Sequence, residues 1–324
     1  MMLKIADLYS LIAEDIERSA RLFREALASD LPLINDLCRH VDQFHGKRLR
    51  PALLLLVAKA CGGIRPAHHT LAAVVEMVHI ATLVHDDVLD EADIRRRSAT
   101  VNRLWGTERS VLLGDYLFSH AYRLCSTLDS QDAALLIAQS AVTVCEGEMT
   151  QVANRENHAL SDAEYMDIIA RKTAALIGVC GRLGALYAGA APGVTQAMRE
   201  YGESLGIAFQ ITDDLLDLTG DEAEAGKSLG LDIDKGKLTL PLIHYLRTAP
   251  SVQRQEMQRA LRATGAERVR SVAALLADSP SVAFAQEAAE AHINRAIEQL
   301  AHLPPSDARE CLRAMAEFVA ARRY

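Results

Sequence analysis

The chain has 324 residues, half of them hydrophobic and 5% aromatic, so it is long enough to bury a large core. Its formal net charge of −8 argues against nucleic acid as a partner. Six scattered cysteines without a C-x-x-C pair favour free thiols in a reducing compartment. No signal segment is apparent, and no uncharged apolar stretch reaches the roughly 20 residues that span a bilayer. We therefore expect a cytoplasmic protein without a transmembrane segment.

Helical periodicity, with no strand alternation longer than a few residues, predicts an all-α fold in a single domain over residues 1–324. The predicted helices cover 4–28, 31–44, a stretch from 52, 71–90, 110–126, 131–152, 162–188 and 195–218. We interpret residues 220–236, which are rich in Gly and charge, as a loop that closes over phosphate. Further helices are predicted in 250–324, with breaks at Pro280 and at 303–306.

The predicted helix 71–90 is apolar until it ends in a group of carboxylates. Asp86 and Asp90 are four residues apart and share a helix face, and Asp87 lies about 100° around the same turn. We expect the three carboxylates to converge and to need cations, for which hard oxygen ligands favour Mg²⁺. The alternative is a solvated acidic helix end, although acidic residues oppose the dipole at a helix C-terminus.

A second helical run ends in the same pattern, because Asp213, Asp214 and Asp217 repeat the i, i+1, i+4 spacing after residues 209–212. Two copies of this pattern at the ends of apolar helices are difficult to explain as solvated acidic helix ends. The repeat therefore favours two metal-binding segments.

Two loops concentrate cations. In the first, Lys47, Arg48 and Arg50 follow Gly46 and precede an apolar helix, which favours a loop directed at an anion; a solvated basic turn is the alternative. In the second, three Arg at 95–97 begin five residues after Asp90. They either neutralise the acidic residues or, with metal ions on the carboxylates, bind a polyanion.

In order and spacing, these segments resemble the trans-isoprenyl diphosphate synthase (polyprenyl synthetase) family, especially its medium- and long-chain members. The resemblance covers about 46–245 and rests on 46–51, 79–90, Arg95-Arg96, Gly147-Glu148-x-x-Gln151, Lys172-Thr173-Ala174, 210–217 and 226–241. The chain departs from the family pattern at His45 and Arg97, where Gly is usual. These departures affect loop shape and remove no ligand.

The resemblance implies an isoprenoid synthase fold, with antiparallel helices around a deep central cavity, usually in a homodimer. It implies an enzyme that condenses isopentenyl diphosphate with an allylic diphosphate in successive trans additions and releases diphosphate. It also implies three Mg²⁺ ions per active site, with ligands or supporting carboxylates at Asp86, Asp87, Asp90, Asp213, Asp214 and Asp217.

The same resemblance implies roles for the cationic and polar residues. Isopentenyl diphosphate would be bound by Lys47, Arg50, His79 and Arg96. The allylic diphosphate would be bound by Arg95, Lys172, Lys227 and Lys237. The carbocation would face the dipoles of Thr173 and Gln210, which with Lys172 form the catalytic set. A lone His on an apolar helix is more often a core residue, but His79 lies seven positions before Asp86 and therefore on nearly the same face.

Product length depends on where a bulky side chain blocks the path along the helix that carries Asp86, since one turn of about 5.4 Å approximates one isoprene unit. Thr82 and Ala81 stand four and five residues before Asp86, where short-chain family members carry aromatic rings. By resemblance, Cys125 and Ile137 are candidates for the tunnel floor, with core packing as the alternative. We expect a product near octaprenyl, within a hexaprenyl to decaprenyl range.

Three alternatives remain open. A short-chain synthase would stop at geranylgeranyl or farnesyl diphosphate. A class I terpene cyclase uses similar Asp-rich helices but acts on one diphosphate, so the basic segment at Lys47 and Arg50 favours condensation. A regulatory subunit of a heteromeric synthase would be expected to lose one Asp cluster, and both are intact.

Overall fold

The computed structural model describes residues 9–44, 46–96, 98–219, 230–277 and 279–321. Over these residues the fold is all-α, as predicted, except for one short hairpin that was not predicted. In this hairpin β1 (Ile94–Arg95) pairs antiparallel with β2 (Ser98–Ala99), and Ile94 lies opposite Ala99. It follows the first Asp motif directly and therefore sets the course of the second cationic loop.

The α-helices alternate with short connections. In chain order they are α1 Ala13–Leu27, α2 Pro32–Asp42, α3 Leu49–Ala60, α4 Pro66–Leu89, α5 Val101–Trp105, α6 Thr107–Cys125, α7 Asp132–Ala153, α8 Asp162–Ile169, α9 Ala175–Ala188, α10 Pro192–Thr219, α11 Leu231–Asp234, α12 Leu240–Thr248, α13 Ser251–Arg262, α14 Gly265–Ala277, α15 Ser281–Gln299 and α16 Asp307–Ala320. A π-helical turn joins α8 to α9, and 3₁₀ turns occur at Ser10–Ile12 and Leu300–His302.

The long predicted helices are confirmed, and most of their ends differ by no more than about five residues. Of the predicted helix 4–28, α1 covers only Ala13–Leu27 among the described residues, after the 3₁₀ turn Ser10–Ile12. Helix α4 begins at Pro66 rather than 71, because Pro suits the first helical position and the Arg65 N–H donates to His68 Nδ1 at 2.8 Å. The predicted helix 162–188 is interrupted by the π-turn Ala170–Ala174. Part of the predicted loop 220–236 is helical, at α11, whereas residues 220–229 lie outside the described residues.

Contacts within the chain divide it into two compact units. The first contains the described residues of Met1–Ala141, Leu176–Gly202 and Ile297–Met315. The second contains the described residues of Val142–Ala175, Glu203–Ala296 and Ala316–Tyr324. Each unit has its own buried apolar side chains.

In the first unit, α3 and α4 form the centre of the core. Leu53 to Ala58 are completely buried, and α4 buries apolar side chains over most of its length, so both helices are apolar on nearly all sides. Helix α4 is the one helix among the described residues that is long and apolar enough to cross a membrane, and 72% of its most apolar window is buried inside the protein. Its apolar character is therefore that of a core helix.

In the second unit, the core forms around α8, α10, α12 and α14. Tyr165 and Ile169 of α8, Ile211 of α10 and Ile243 of α12 belong to one apolar cluster. Helix α8 begins with a capping box, in which Ser161 and Glu164 satisfy each other's backbone N–H groups. This cap fixes the start of the segment that leads into Lys172 and Thr173.

Candidate active site

The first Asp motif lies at the C-terminal end of α4, as predicted. Asp86 and Asp90 are partly exposed, and Asp90 is the C-cap residue, whose N–H donates to the Asp86 carbonyl at 2.8 Å. Asp87 is 1% exposed and turns to Arg95, with 2.7 Å between Arg95 Nε and Asp87 Oδ1. Arg95 therefore neutralises an acidic residue of the motif, which is one of the two roles that the sequence left open for the second cationic loop.

The predicted convergence of three carboxylates is not found. Among the described residues, no three His, Cys, Asp or Glu side chains form a group with metal-binding geometry. The donor set of the motif nevertheless fits a hard cation, because Asp86 and Asp90 present carboxylate oxygens at a partly exposed helix end. The backbone after the motif is constrained, since Glu91 and Arg96 both have positive φ.

The first cationic loop packs against the second. A Cβ on Gly46 would lie 2.5 Å from Arg96 Cζ. The guanidinium group of Arg96 can therefore keep its position only when residue 46 is glycine. Arg96 also donates a hydrogen bond to the Phe44 carbonyl. Arg48 has a left-handed backbone (φ 46°) as N-cap of α3, and Lys47 is exposed, its carbonyl accepting from Tyr9 Oη at 2.6 Å. Lys47 belongs to the first cationic loop, and Arg96 is held against the same loop through Phe44 and Gly46. His45 and Arg97 lie outside the described residues.

Arg50 is partly buried, unlike the exposed Lys47 of the same loop. Burial lowers the pKa of Arg50, against the raising effects of Cys180 and Glu76. Glu76 is a buried carboxylate on α4, one turn before the partly buried His79. Burial raises the pKa of the Cys180 thiol to about 12, so this cysteine stays protonated at neutral pH. Glu76 is therefore the carboxyl group that acts electrostatically on Arg50.

The second Asp motif lies near the end of α10. Asp213 is partly exposed, whereas Asp214 and Asp217 are buried. Asp217 Oδ2 accepts from the Asp232 N–H at 3.1 Å. Asp214 accepts from Tyr165 Oη and from Gln210 Nε2, each at 2.7 Å, so both of its oxygens have protein donors. Burial raises the pKa of Asp214, with Asp232 as the next cause. Asp213 is the member most accessible to a metal ion.

Lys172 and Thr173 lie in the π-turn Ala170–Ala174. Lys172 Nζ donates to Gln151 Oε1 at 2.7 Å and pairs with Glu148. Thr173 Oγ1 donates to Gln210 Oε1 at 2.8 Å. The structure therefore brings the predicted catalytic residues Thr173 and Gln210 into direct contact, and π-turns of this kind are frequent at functional sites.

Lys237 follows a turn at Gly236, whose φ is +70° and whose added Cβ would lie 2.5 Å from Glu156 Oε1. Glu156 is held in place by two hydrogen bonds from Arg268, at 2.6 and 3.0 Å. Lys237 Nζ is 3.7 Å from Asp232 Oδ1. The predicted allylic residue Lys227 lies outside the described residues.

The chain-length candidates are all in the first unit. Ala81, Cys125 and Ile137 are at most 2% exposed, and Thr82 is partly buried with its hydroxyl donating to the His79 carbonyl at 2.8 Å. Towards its N-terminus, α4 continues with Val78, a buried aliphatic residue. No Phe, Tyr or Trp occurs on α4.

Four residues that contact the predicted site were given no functional role by the sequence analysis. Glu148 and Gln151 were matched by pattern alone, and here they hold Lys172. Glu76 could have been suspected, because a carboxylate interrupts an apolar helical run. Tyr165 carried no signal, since an aromatic residue in an amphipathic helix is usually part of the core.

An all-α fold with two Asp-rich helix ends, a Gly-led cationic loop and a Lys–Thr pair beside a Gln defines a prenyltransferase of diphosphate substrates. The sequence profile described as Polyprenyl synthetase matches residues 31–278. The chain belongs to this family, and it is a trans-polyprenyl diphosphate synthase of isoprenoid biosynthesis that joins isopentenyl diphosphate to an allylic diphosphate.

Three similar proteins illustrate the match. The octaprenyl diphosphate synthase of Haemophilus influenzae is 34% identical over 324 residues, which is 100% of this chain and 98% of that protein. A decaprenyl diphosphate synthase structure from Rhodobacter capsulatus has a TM-score of 0.92 and 36% identity, covering 98% of both chains. A Caulobacter crescentus polyprenyl synthase, complexed with calcium and isoprenyl diphosphate, has a TM-score of 0.95 and 33% identity, covering 100% of this chain and 99% of the other.

Proposed function

We propose that this enzyme adds isopentenyl diphosphate repeatedly to an allylic diphosphate and releases an all-trans product near octaprenyl. The absence of an aromatic ring at Ala81 and Thr82 carries this proposal, because a ring there would block the growing chain. The octaprenyl- and decaprenyl-forming relatives support the same range. A short-chain product remains the competing outcome.

The metal proposal rests on the accessible carboxylates of the two motifs. Asp86, Asp90 and Asp213 are partly exposed and are the proposed ligands, whereas the buried Asp87, Asp214 and Asp217 support them. The Caulobacter relative binds calcium, which like Mg²⁺ is a hard divalent cation that prefers oxygen ligands. When bound, Mg²⁺ stabilises the negative charge of the departing diphosphate. Three ions per site is the number we propose.

The cationic residues are proposed to bind the two diphosphates. Isopentenyl diphosphate is assigned to Lys47, Arg50, His79 and Arg96. This assignment is supported by the Gly46–Arg96 packing, which holds two cationic loops together. The allylic diphosphate is assigned to Arg95, Lys172, Lys227 and Lys237. Glu148 and Gln151 would keep Lys172 oriented until the diphosphate arrives.

The chemical steps need no nucleophilic side chain. The allylic C–O bond ionises while the cations hold the leaving diphosphate, and the carbocation faces the dipoles of Thr173 and Gln210. The double bond of isopentenyl diphosphate attacks the cation, and a proton then leaves to the departing diphosphate. The chain's contribution is therefore to position charges and to exclude water.

Two alternatives predict different products. A terpene cyclase would convert one diphosphate to a cyclic hydrocarbon, and a regulatory subunit would be inactive alone. Incubation of the purified chain with isopentenyl diphosphate, farnesyl diphosphate and Mg²⁺, followed by mass spectrometry of the products, separates all of these. We expect a ladder ending near octaprenyl. A cyclic hydrocarbon, no turnover, or an end product no longer than geranylgeranyl would contradict the proposal.

We also propose that the chain is one domain and forms a homodimer. The family match at 31–278 includes residues of both compact units, which supports a single domain. Leu135, Val142 and Met149 recur every seven residues on α7 and are more than half exposed, as is Leu112 on α6. Such an apolar surface is typical of a protein–protein interface. Cytoplasmic location stays a prediction.

A further inference from the structure

A chain of three hydrogen bonds connects four side chains of the second unit. Tyr165 Oη donates to Asp214 Oδ2 at 2.7 Å, and Gln210 Nε2 donates to Asp214 Oδ1 at 2.7 Å. Thr173 Oγ1 then donates to Gln210 Oε1 at 2.8 Å. Tyr165, Thr173 and Asp214 are less than 10% exposed, and Gln210 is the most accessible member. The chain thus leads from a fully enclosed phenol to the proposed catalytic dipoles.

The hydrogen bonds themselves fix the order of donors and acceptors in this series. Both oxygens of Asp214 act as acceptors, so the NH₂ end of the Gln210 amide faces Asp214. The amide oxygen of Gln210 then faces Thr173, whose hydroxyl proton is used in donating to it. Burial, followed by the charge of Asp214, raises the pKa of Tyr165, so the phenol remains a donor. The remaining lone pairs of Thr173 Oγ1 and Gln210 Oε1 lie at the end of this series of hydrogen bonds.

The backbone supports the same arrangement. Gln210 and Asp214 are four residues apart on α10 and share a helix face. Tyr165 and Thr173 are eight residues apart, which in a regular α-helix corresponds to an offset of about 80° around the axis. The wider π-turn Ala170–Ala174, which contains Thr173, reduces this offset. Both pairs can therefore face each other.

We propose that Tyr165 is a positioning residue for carbocation stabilisation, acting through Asp214 to hold the oxygens of Gln210 and Thr173 towards the allylic cation. This inference rests on the proposed function. According to this inference, Asp214 is not itself a metal ligand, because both of its oxygens already accept hydrogen bonds, from Tyr165 and from Gln210. Without the phenol, Asp214 would lose one of its two donors, and the carboxyl group that holds the Gln210 amide would be less firmly oriented.

The test compares Tyr165→Phe with Tyr201→Phe. Tyr201 is also fully buried, and its hydroxyl donates to the Leu312 carbonyl at 2.6 Å, so both variants lose one buried hydrogen bond. We expect Tyr165→Phe to lower kcat about tenfold, the effect of one misdirected hydrogen-bonding group, with KM for both diphosphates changed less than about twofold. Tyr201→Phe should keep kcat within about twofold while losing similar thermal stability.

A binding measurement gives a second readout that does not depend on turnover. The probes are an allylic analogue with an ammonium nitrogen at the cationic centre, bound together with inorganic diphosphate, and an uncharged thiolodiphosphate analogue. Tyr165→Phe should weaken the ammonium analogue about tenfold more than the neutral one, because only the former needs the fixed oxygens. Tyr201→Phe should leave that ratio unchanged.

The outcomes distinguish a failure of the Tyr165 role from a failure of the proposed function. An active wild-type enzyme together with a Tyr165→Phe variant that matches Tyr201→Phe in kcat and in the binding ratio would overturn the role of Tyr165 alone. A wild-type chain with no condensing activity would overturn the proposed function and this inference with it. A fall in thermal stability without a change in kcat or in the ratio would make Tyr165 a core residue only.

Discussion

Gly46 and Arg96 are in close contact, because a Cβ atom at position 46 would lie 2.5 Å from the guanidinium carbon of Arg96. The atoms in conflict are the far end of a flexible side chain, so a substitution at Gly46 moves Arg96 and leaves the fold intact. The contact therefore links the shape of one loop to the position of a cation in the other.

Gly46→Ala should raise KM for isopentenyl diphosphate about tenfold or more, since a displaced Arg96 loses a charge-assisted contact. The melting temperature should change little. Steady-state kinetics with each substrate varied in turn check this, with Gly193→Ala as the control, because no atom lies within 4 Å of an added Cβ there. A higher KM for the allylic substrate alone would contradict the assignment of Arg96.

Gly147→Ala should affect both stability and kcat. An added Cβ would lie 2.5 Å from the backbone nitrogen of Lys172, and the backbone of a π-turn cannot rotate away as a side chain can. The free energy of unfolding should fall by about 1–3 kcal/mol, as for other overpacked sites. Denaturant unfolding measures this change. A variant with unchanged stability and kcat would show that the π-turn tolerates displacement.

Asp86→Ala and Asp213→Ala should each abolish turnover while helical content is retained, because each removes an accessible carboxylate and little packing. Isothermal titration with Mg²⁺ and an allylic thiolodiphosphate should show weakened binding, and circular dichroism should be unchanged. Asp36→Ala is the control, since Asp36 forms an exposed pair with Arg39. Normal Mg²⁺-dependent rates in either variant would refute the ligand assignment.

Product length should respond to bulk on α4. Ala81→Phe should shorten the product sharply, but Ala81 is completely buried and its variant risks strain. Thr82→Phe is therefore made in parallel, because Thr82 is only partly buried. Ile137→Ala should lengthen the product if Ile137 forms the floor of the product tunnel, as the family resemblance implies. Mass spectrometry of the dephosphorylated products checks all three, and unchanged lengths in variants that still condense would remove this helix as the determinant.

The exposed apolar residues Leu135, Val142 and Met149 of α7 should form the interface of the proposed homodimer. Met149→Asp combined with Leu135→Asp should shift the sedimentation mass from about twice the chain to that of one chain, since charges in an apolar interface are strongly unfavourable. Val252→Asp is the control, because Val252 is an exposed apolar residue on α13. A wild-type protein that sediments as a monomer would contradict the proposal.

The amino-acid sequence by itself determined the helices and the two Asp motifs at their ends. Helical periodicity is local, so α4 and α10 could be predicted to within a few residues at most ends, and the motifs were positioned with them. Membership of the family followed from separate motifs in a fixed order. The same local reasoning failed at the π-turn and at β1–β2, because neither has a periodicity of its own.

Only the tertiary structure decided which carboxylates are accessible and what each one contacts. Asp87 and Asp214 looked equivalent to their neighbours in the sequence, yet Asp87 pairs with Arg95 and Asp214 with Tyr165. Tyr165 and Asp214 are 49 positions apart in the sequence, and Gly46 and Arg96 are 50 positions apart (96 − 46). Such contacts depend on how buried helix faces and loops pack, and packing between distant segments leaves no periodic trace in the chain.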